Sequence, residues 1–261
     1  MTAALQRSLR VLEVLAAHPE GCSLSSLAQQ LGMPLSATHR ALTELAQAGY
    51  VRQAAEQGRY VLTIKLVAMG LSFLSNSGVV DIAQPLLDQL AKESGELVRM
   101  AVRDGDELVF VAKAQGAMRG LRYDPDMGLS VPLSCSAAGY ALLSTMPDDE
   151  ALERVARQGF GKPADHGPRA PTTEKALLVY LRAARKRGFS LIVEVFAPGM
   201  TAMSAPIRQR DGDVLGVVTI AGPLIRLTEA RMLALGPALL ATAAEIGGAS
   251  QASAFFKRRA A

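Results

Sequence analysis

Ser36, Ala37, His39, Arg40 and Thr43 fall on one face of a stretch with helical periodicity, and that set has a definite chemistry. Phosphate oxygens sit well at a helix start lined with short hydroxyl residues, and a nearby arginine can fork onto a guanine edge. Ser25 lies on a helix just upstream, while Arg52 and Arg59 stand on the two arms of a hairpin just downstream. The opposite face, Thr38, Ala41, Leu42 and Leu45, recurs at three- and four-residue spacing and is expected to pack on Leu12, Leu27 and Leu31. Taken alone, such an outward face is what any solvated amphipathic helix presents. Its neighbours decide the reading in favour of a surface for double-stranded DNA.

Those neighbours form a recognisable order. Ser23 is placed to cap a helix carrying Leu24, Leu27, Ala28 and Leu31, and Gly32-Met33-Pro34 breaks it. Ser36 is expected to cap the next helix, 37–48, which ends at Gly49. Tyr50-Val51-Arg52-Gln53 and Arg59-Tyr60-Val61-Leu62 flank a polar loop and read as a small wing. Two helices joined by a short glycine-containing turn, followed by a wing, make a winged helix-turn-helix.

At these residues the chain resembles the isocitrate lyase regulator (IclR) family of bacterial transcription regulators. The matching pieces are Leu5-Gln6-Arg7-Ser8-Leu9-Arg10-Val11-Leu12, Ser25-Leu27-Ala28, Gly32-Met33-Pro34-Leu35-Ser36-Ala37-Thr38-His39-Arg40-Ala41-Leu42, Leu45, Gly49-Tyr50-Val51 and Gly58-Arg59-Tyr60. The sequence departs from the family pattern at Leu35, usually Lys, and at Ala37-Thr38, commonly Thr-Val; these changes remove one phosphate contact and alter which bases can be read. The resemblance extends more loosely to about Thr228. It implies a C-terminal GAF-like effector-binding domain and a homotetramer built from two dimers.

Downstream of the head, the spacing of Leu66, Met69, Phe73 and Leu74 predicts a connecting helix, and Ser75-Asn76-Ser77-Gly78 a polar hinge. Asp81 is expected to cap a helix running to Ser94. Strands 97–103 and 108–113 flank Asp104-Gly105-Asp106, and strands 203–210 and 214–221 flank Asp211-Gly212-Asp213. These two hairpins are expected at the edges of one antiparallel sheet. Helices are read at 136–145, 149–158, 174–187 and 228–246, with a further strand at 191–196. The fold class is therefore α+β. Its parts are an N-terminal winged helix-turn-helix (1–64), a connecting helix and hinge (65–78), a C-terminal antiparallel sheet flanked by helices (79–249), and a disordered tail (250–261).

Catalytic constellations are scarce. His18 ends the first helix, His39 faces outward, and His166 sits in the loop 161–172 with no sequence neighbour to complete a metal set, so no metal and no cofactor is expected. There is no nucleophile elbow and no glycine-rich phosphate loop. Cys135 could be argued as a nucleophile at a helix start, but reads better as a small buried residue beside a cavity.

The segment around it, Pro132-Leu133-Ser134-Cys135-Ser136-Ala137-Ala138-Gly139, brings a strand end into a helix start through small residues. Its amides and the hydroxyls of Ser134 and Ser136 can hold a carboxylate; small residues there equally serve a tight helix–sheet junction. The family resemblance assigns this segment to the effector pocket, together with Ile192, Met200, Ala202, Thr219 and Ala221. Arg122, like Arg119, precedes the strand at Val131 and is a further candidate for pairing with the acid, although two exposed arginines are the commoner outcome of such a sequence. Ile192, Met200, Ala202, Ala137, Ala138 and Ala221 would form an apolar wall, which suits an aromatic or medium-chain carboxylate rather than a two- or three-carbon oxoacid.

Composition fits a ligand-responsive regulator of this kind. The 261 residues are 49% hydrophobic, enough for two cores, and the net charge of +4 permits association with polyanions. Cys22 and Cys135 fall in different domains, so a cytoplasmic protein without a disulfide framework is expected. The most apolar stretch, 232–246, is too short to span a bilayer, so no membrane partner is expected. Operator half-sites are matched by protein symmetry, which implies at least a dimer. Two other readings remain open: an enzyme acting on a small acid with a tethering head, and a constitutive DNA-binding protein with a ligand-free C-terminal domain.

Overall fold

The computed structural model describes residues 3–54, 58–125, 127 and 130–250. Tertiary contacts divide the chain between Asn76 and Ser77 into two units.

The first unit contains α1 (Ala3–Ala16), α2 (Leu24–Leu31), α3 (Leu35–Gln47), β1 (Val51–Gln53), β2 (Tyr60–Leu62) and all but the last residue of α4 (Ile64–Ser77). The Ser23 side chain accepts from the Ser26 amide at 3.2 Å, and Gly32 takes the left-handed conformation (φ 61°) that ends α2. The start of α3 differs from expectation. Pro34 occupies the cap position, and Ser36 is an exposed first-turn residue rather than the cap. Proline presets a helix-compatible φ (−59°), and both the amide and the hydroxyl of Thr38 bond back to the Pro34 carbonyl. Val11, Leu15, Leu27, Leu31, Leu42 and Leu45 form the core, closed by Val51 and Tyr60 from the hairpin. The Cys22 and Tyr60 backbones exchange two hydrogen bonds, 3.0 and 2.8 Å, fastening β2 beneath the helices. The tip of the wing, 55–57, lies outside the described residues.

The helix α4 runs through Ser75, Asn76 and Ser77, which were expected to form a hinge; only Gly78 leaves helical space, at φ 66°. Serine and asparagine are weak helix formers but do not block a helix, whereas glycine alone adopts the left-handed turn without strain.

The second unit begins with α5 (Val79–Ser94), where Asp81 sits in the first turn instead of capping. It continues with β3 (Leu97–Asp104), β4 (Glu107–Gln115), α6 (Ala137–Leu143), α7 (Asp148–Gln158), α8 (Glu174–Arg187), β5 (Ser190–Val193), β6 (Met200–Arg208), β7 (Val214–Pro223) and α9 (Glu229–Ala249). The sheet order is β4-β3-β7-β6-β5, antiparallel throughout. The two hairpins are joined at β3–β7, so the second is interior and the edges are β4 and β5. β5 also stops at Val193, short of the expected 196, because Glu194 turns the chain with φ 52°.

Both sheet faces are buried. Val98, Met100, Val218, Ile220 and Met203 belong to a core with α5 and α9, while Ala101, Val217 and Ile192 belong to a core with α6, α7 and α8. At 21 residues, α9 is longer than the apolar stretch read from the sequence, and by length and composition it could cross a membrane. Its Met232, Leu235, Leu239, Ala243 and Ile246 stripe instead packs on the sheet. Ser250, expected in the tail, is buried and donates to the Gly247 carbonyl at 2.6 Å; residues 251–261 lie outside the described residues.

The start of α6 is held tightly. Ser136 accepts from the Gly139 amide at 2.9 Å and donates to the Pro132 carbonyl at 2.5 Å, and Ser190 reaches the Ala137 carbonyl at 2.6 Å. A Cβ on Gly139 would lie 2.5 Å from the Leu133 carbonyl oxygen and 2.6 Å from its Cα, both immovable backbone. Gly139→Ala, a change that helps most helices, is therefore expected to cost about 1–3 kcal/mol here, read as a lower urea midpoint at unchanged slope.

Candidate effector cavity and nucleic-acid face

In the first unit, Ser36, His39, Arg40 and Thr43 are exposed on α3, and Ala37 is half-buried beside them. Ser25 is exposed near the start of α2, where its hydroxyl meets that of Ser23 at 3.0 Å. Arg52 on β1 and Arg59 just before β2 are both exposed, and Arg59 reaches back to the Gly21 carbonyl at 3.5 Å. The Arg40 Nε lies 3.1 Å from Glu44, but the Arg40 side chain remains 84% exposed. An exposed pair of this kind is worth little, so the guanidinium is easily redirected to a base or phosphate. Thr43 donates its hydroxyl hydrogen to the His39 carbonyl, which leaves its oxygen as an acceptor. Arg7 and Ser8 on α1 line one shallow depression with Ser36, Ala37 and Arg40. Neither α1 residue was picked from the sequence, because helical periodicity within α3 carries no information about which side α1 covers.

The second unit holds a partly open cavity of about 170 Å³ between the sheet and the start of α6. Of the residues expected to bind an effector, Ser136, Ala137, Ala138, Ile192, Met200, Ala202, Thr219 and Ala221 line it. They meet because β5, β6 and β7 are in register: Ile192 is opposite Ala202, and Ala202 opposite Ala221. Three candidates lie elsewhere. Ser134 is buried behind the loop, donating to the Phe160 carbonyl at 3.3 Å. Cys135 is buried with its Sγ 3.5 Å from the His166 Nδ1. Arg122 is exposed and lies 3.6 Å from Asp124.

His166 thus does have a cysteine beside it, contrary to the expectation from its loop. The pair is not an activated one. The His166 Nε2 donates to the Phe160 carbonyl at 3.2 Å, which makes Nδ1 the acceptor and the thiol the donor. Burial pushes the Cys135 thiol up to about 11, so it stays protonated at neutral pH.

Arg99 is the charged lining residue that the sequence did not single out; nor did it single out Phe110, Tyr123, Ser130 and Thr201. It projects from the middle of β3 and is 8% exposed. Its guanidinium carbon stands 3.7 Å over the Phe110 ring and 5.9 Å from that of Tyr123. Burial holds its pKa below the ordinary arginine value, and burial likewise raises that of the Tyr123 hydroxyl beside it. A guanidinium remains charged even so. The available signal was an arginine inside Leu97-Val98-Arg99-Met100-Ala101-Val102, an apolar run of the kind buried on both faces.

Comparison with known proteins places both units. The family described as the IclR helix-turn-helix domain matches residues 4–55, and the one described as bacterial transcriptional regulator IclR C-terminal matches 71–247. The chain is 32% identical over 244 residues to the transcriptional repressor IclR of Escherichia coli K12, covering 93% of this chain and 88% of that protein. The crystal structure of the Thermotoga maritima IclR aligns with a TM-score of 0.73 at 26% identity, over 95% of this chain and 98% of that one. An IclR homologue from Microbacterium hydrocarbonoxydans, solved in complex with 4-hydroxybenzoate, shares the fold with a TM-score of 0.80 at 21% identity, over 96% of this chain and 100% of that one. With both family regions matched in order along one chain, the protein belongs to the IclR family of bacterial transcriptional regulators and is a ligand-responsive DNA-binding regulator.

Proposed function

We propose that the protein acts in the cytoplasm as a symmetric oligomer that grips operator DNA with α3 and the wing, and that an organic acid with an apolar body occupies the cavity and changes that grip. One observation carries this reading: the same chain presents exposed arginines on a helix-turn-helix and holds an apolar cavity lined by few polar groups. The volume favours a body of one ring, since an apolar cavity of ~150 Å³ accommodates benzene. Burial of such a body contributes about 25 cal/mol per Å² of apolar surface, which a two-carbon oxoacid cannot supply. The 4-hydroxybenzoate in the Microbacterium protein is a ligand of that size and charge. Dimerisation is supported by Ile64, Val67 and Leu71, spaced along one stripe of α4 and 75%, 52% and 61% exposed. Pairing of two such dimers would give the tetramer.

A thermal-shift series on the full-length protein with aromatic and medium-chain monocarboxylates tests the effector. A binding acid is expected to stabilise by about 2.7 kcal/mol at a hundred times its Kd, and to alter operator affinity roughly 5- to 150-fold. Ala138→Phe, which fills the cavity, is expected to abolish the shift. A series in which pyruvate and glyoxylate bind and the larger acids do not would overturn the size argument.

For the head, Arg40, Arg52 and Arg59 from two protomers supply about six cationic contacts. Anisotropy titration of labelled operator is expected to give a slope of log affinity against log salt near −5. Arg40→Ala is expected to lose about 1–3 kcal/mol if the contact is to a base. A salt-independent affinity would remove these residues from the interface.

The protonated Cys135 thiol argues against nucleophilic catalysis, and its ionisation gives a further check. A thiol whose pKa is raised by folding stabilises the native state below its unfolded pKa of about 9, and that contribution disappears as pH rises through about 11. Urea stability measured between pH 9 and 11 is expected to fall less steeply in Cys135→Ala than in the native protein. Native Cys135 should also resist iodoacetamide at pH 8 until the protein is unfolded.

A further inference from the structure

The geometry points to Arg99 as the residue that fixes the charge of the effector: the ligand carries a single carboxylate that docks edge-on against this guanidinium, with its apolar body lying against Ala137, Ala138 and Ile192. This rests on the reading of the cavity as an effector site, and deepens it by assigning the anchor and excluding neutral and dianionic ligands.

The hydroxyls first considered for holding the acid have no hydrogen to give. Ser134 donates to the Phe160 carbonyl and Ser136 to the Pro132 carbonyl. Ser204 donates to the Val218 carbonyl at 2.9 Å, so in its 2.9 Å contact with Thr219 the donor is Thr219. Thr201 is likewise spent, on the carbonyls of Gly222 and Leu227. Of these, Ser136, Thr201 and Thr219 line the cavity, and their oxygens face an incoming ligand as acceptors, which repel a carboxylate.

Arg99 has the opposite character. It is the one charged side chain among the described residues lining the cavity, it is more than nine-tenths buried, and its Nε lacks a hydrogen-bond partner. Phe110 covers one face of the guanidinium and the Tyr123 hydroxyl bonds to part of its rim, which leaves the remaining N–H donors, Nε among them, as the recognition surface. The charge of nearby Asp124 does reach Arg99, but that carboxylate is exposed and already bonded to Lys113 at 2.6 Å, with Arg122 at 3.6 Å. A buried guanidinium without a bound carboxylate is costly, and the planar fork matches a carboxylate in two parallel hydrogen bonds. One cation in an apolar wall neutralises one anion; a second ligand charge would be buried unpaired.

Calorimetry on the full-length protein tests this with benzoate, phenylacetate, 4-hydroxybenzoate and hexanoate, each against its primary amide, and with phthalate as a dianion. At least one monocarboxylate is expected to bind tenfold or more tighter than its amide, and phthalate tenfold or more weaker than benzoate. Arg99→Met is expected to erase the acid-over-amide preference while amide affinity stays within threefold, which also shows that the cavity is intact. Arg99→Lys should retain part of the preference, since the charge persists without the fork. If Arg99→Met keeps a tenfold preference for the acid, Arg99 is not the anchor and the effector cavity stands without it. If the native protein binds amides as tightly as acids, or phthalate as tightly as benzoate, the single-carboxylate rule falls while the cavity remains a ligand site. If it binds neither acids nor amides, the effector reading and this assignment fall together.

Discussion

The pairing of β3 with β7 is the constraint on which the effector unit depends. These strands lie more than a hundred residues apart in the chain, yet they are the central neighbours of the sheet, with Leu97 opposite Ala221, Arg99 opposite Thr219 and Ala101 opposite Val217. A slip of one residue would exchange the two faces of every strand. Two features hold the register. Gly216 lets the backbones close, because a Cβ there would lie 2.0 Å from the Ala101 carbonyl oxygen. Glu96, buried at the start of β3, takes a two-pronged bond from Arg226 at 2.8 Å for each oxygen, beside Gly222 at the end of β7, where any side chain would collide with it. Breaking that pair would leave a buried carboxylate without a partner, so the interaction specifies alignment more than it adds net stability.

From that register the division of labour between the faces follows. The face under α5 and α9 is filled by Met100, Met203, Val218, Ile220 and Leu239 and is a plain core. The other face carries Ala202 and Ala221, and α6 brings Ala137 and Ala138 over it, so alanines surround the cavity where larger residues would fill the space, and Arg99 stands among them. An unfilled volume and a buried charge both oppose folding. Such local conflicts with good packing are tolerated where a site needs them. The loop leading into α6 is correspondingly well anchored. Gln158 binds the backbone of Val131 and Leu133, and Tyr140 donates to the Ser134 carbonyl at 2.9 Å. The side of the cavity formed by the start of α6 is therefore shaped by backbone that is held in place from both ends.

The head was the most legible part of the chain. Its contacts are local, and most junctions carry their own chemistry, with Ser23 at a cap and Gly32 in the left-handed region; the start of α3 fell to Pro34 and not to the Ser36 read as its cap. The exposed arginines could be named for the same reason, since a helix with one apolar face leaves little choice about where the other points. Arg7 escaped because its proximity to α3 depends on the docking of α1.

In the effector unit, the sequence by itself determined the class of fold and both hairpins, because alternation, turn glycines and caps are local signals, whereas the eight of eleven effector candidates that line the cavity rest largely on the family resemblance. Only the tertiary structure decided which strands are neighbours and which side chains meet. The sheet edges are β4 and β5 rather than the two hairpins, since strand order is set by long-range pairing that no local signal encodes. Likewise, Met100 pairs with Ala112 but Ala101 with Phe110, so Val111 is an extra residue in β4. That bulge switches the face of the strand: Ala112 and Ala114 lie in one core, Leu108 and Phe110 in the other. Strict alternation would have kept Phe110 on the same side as Ala112. The bulge instead sets its ring under Arg99, and a buried arginine beside an aromatic floor becomes the charged point of the cavity. Periodicity tells which residues share a face; it does not tell where the face turns over.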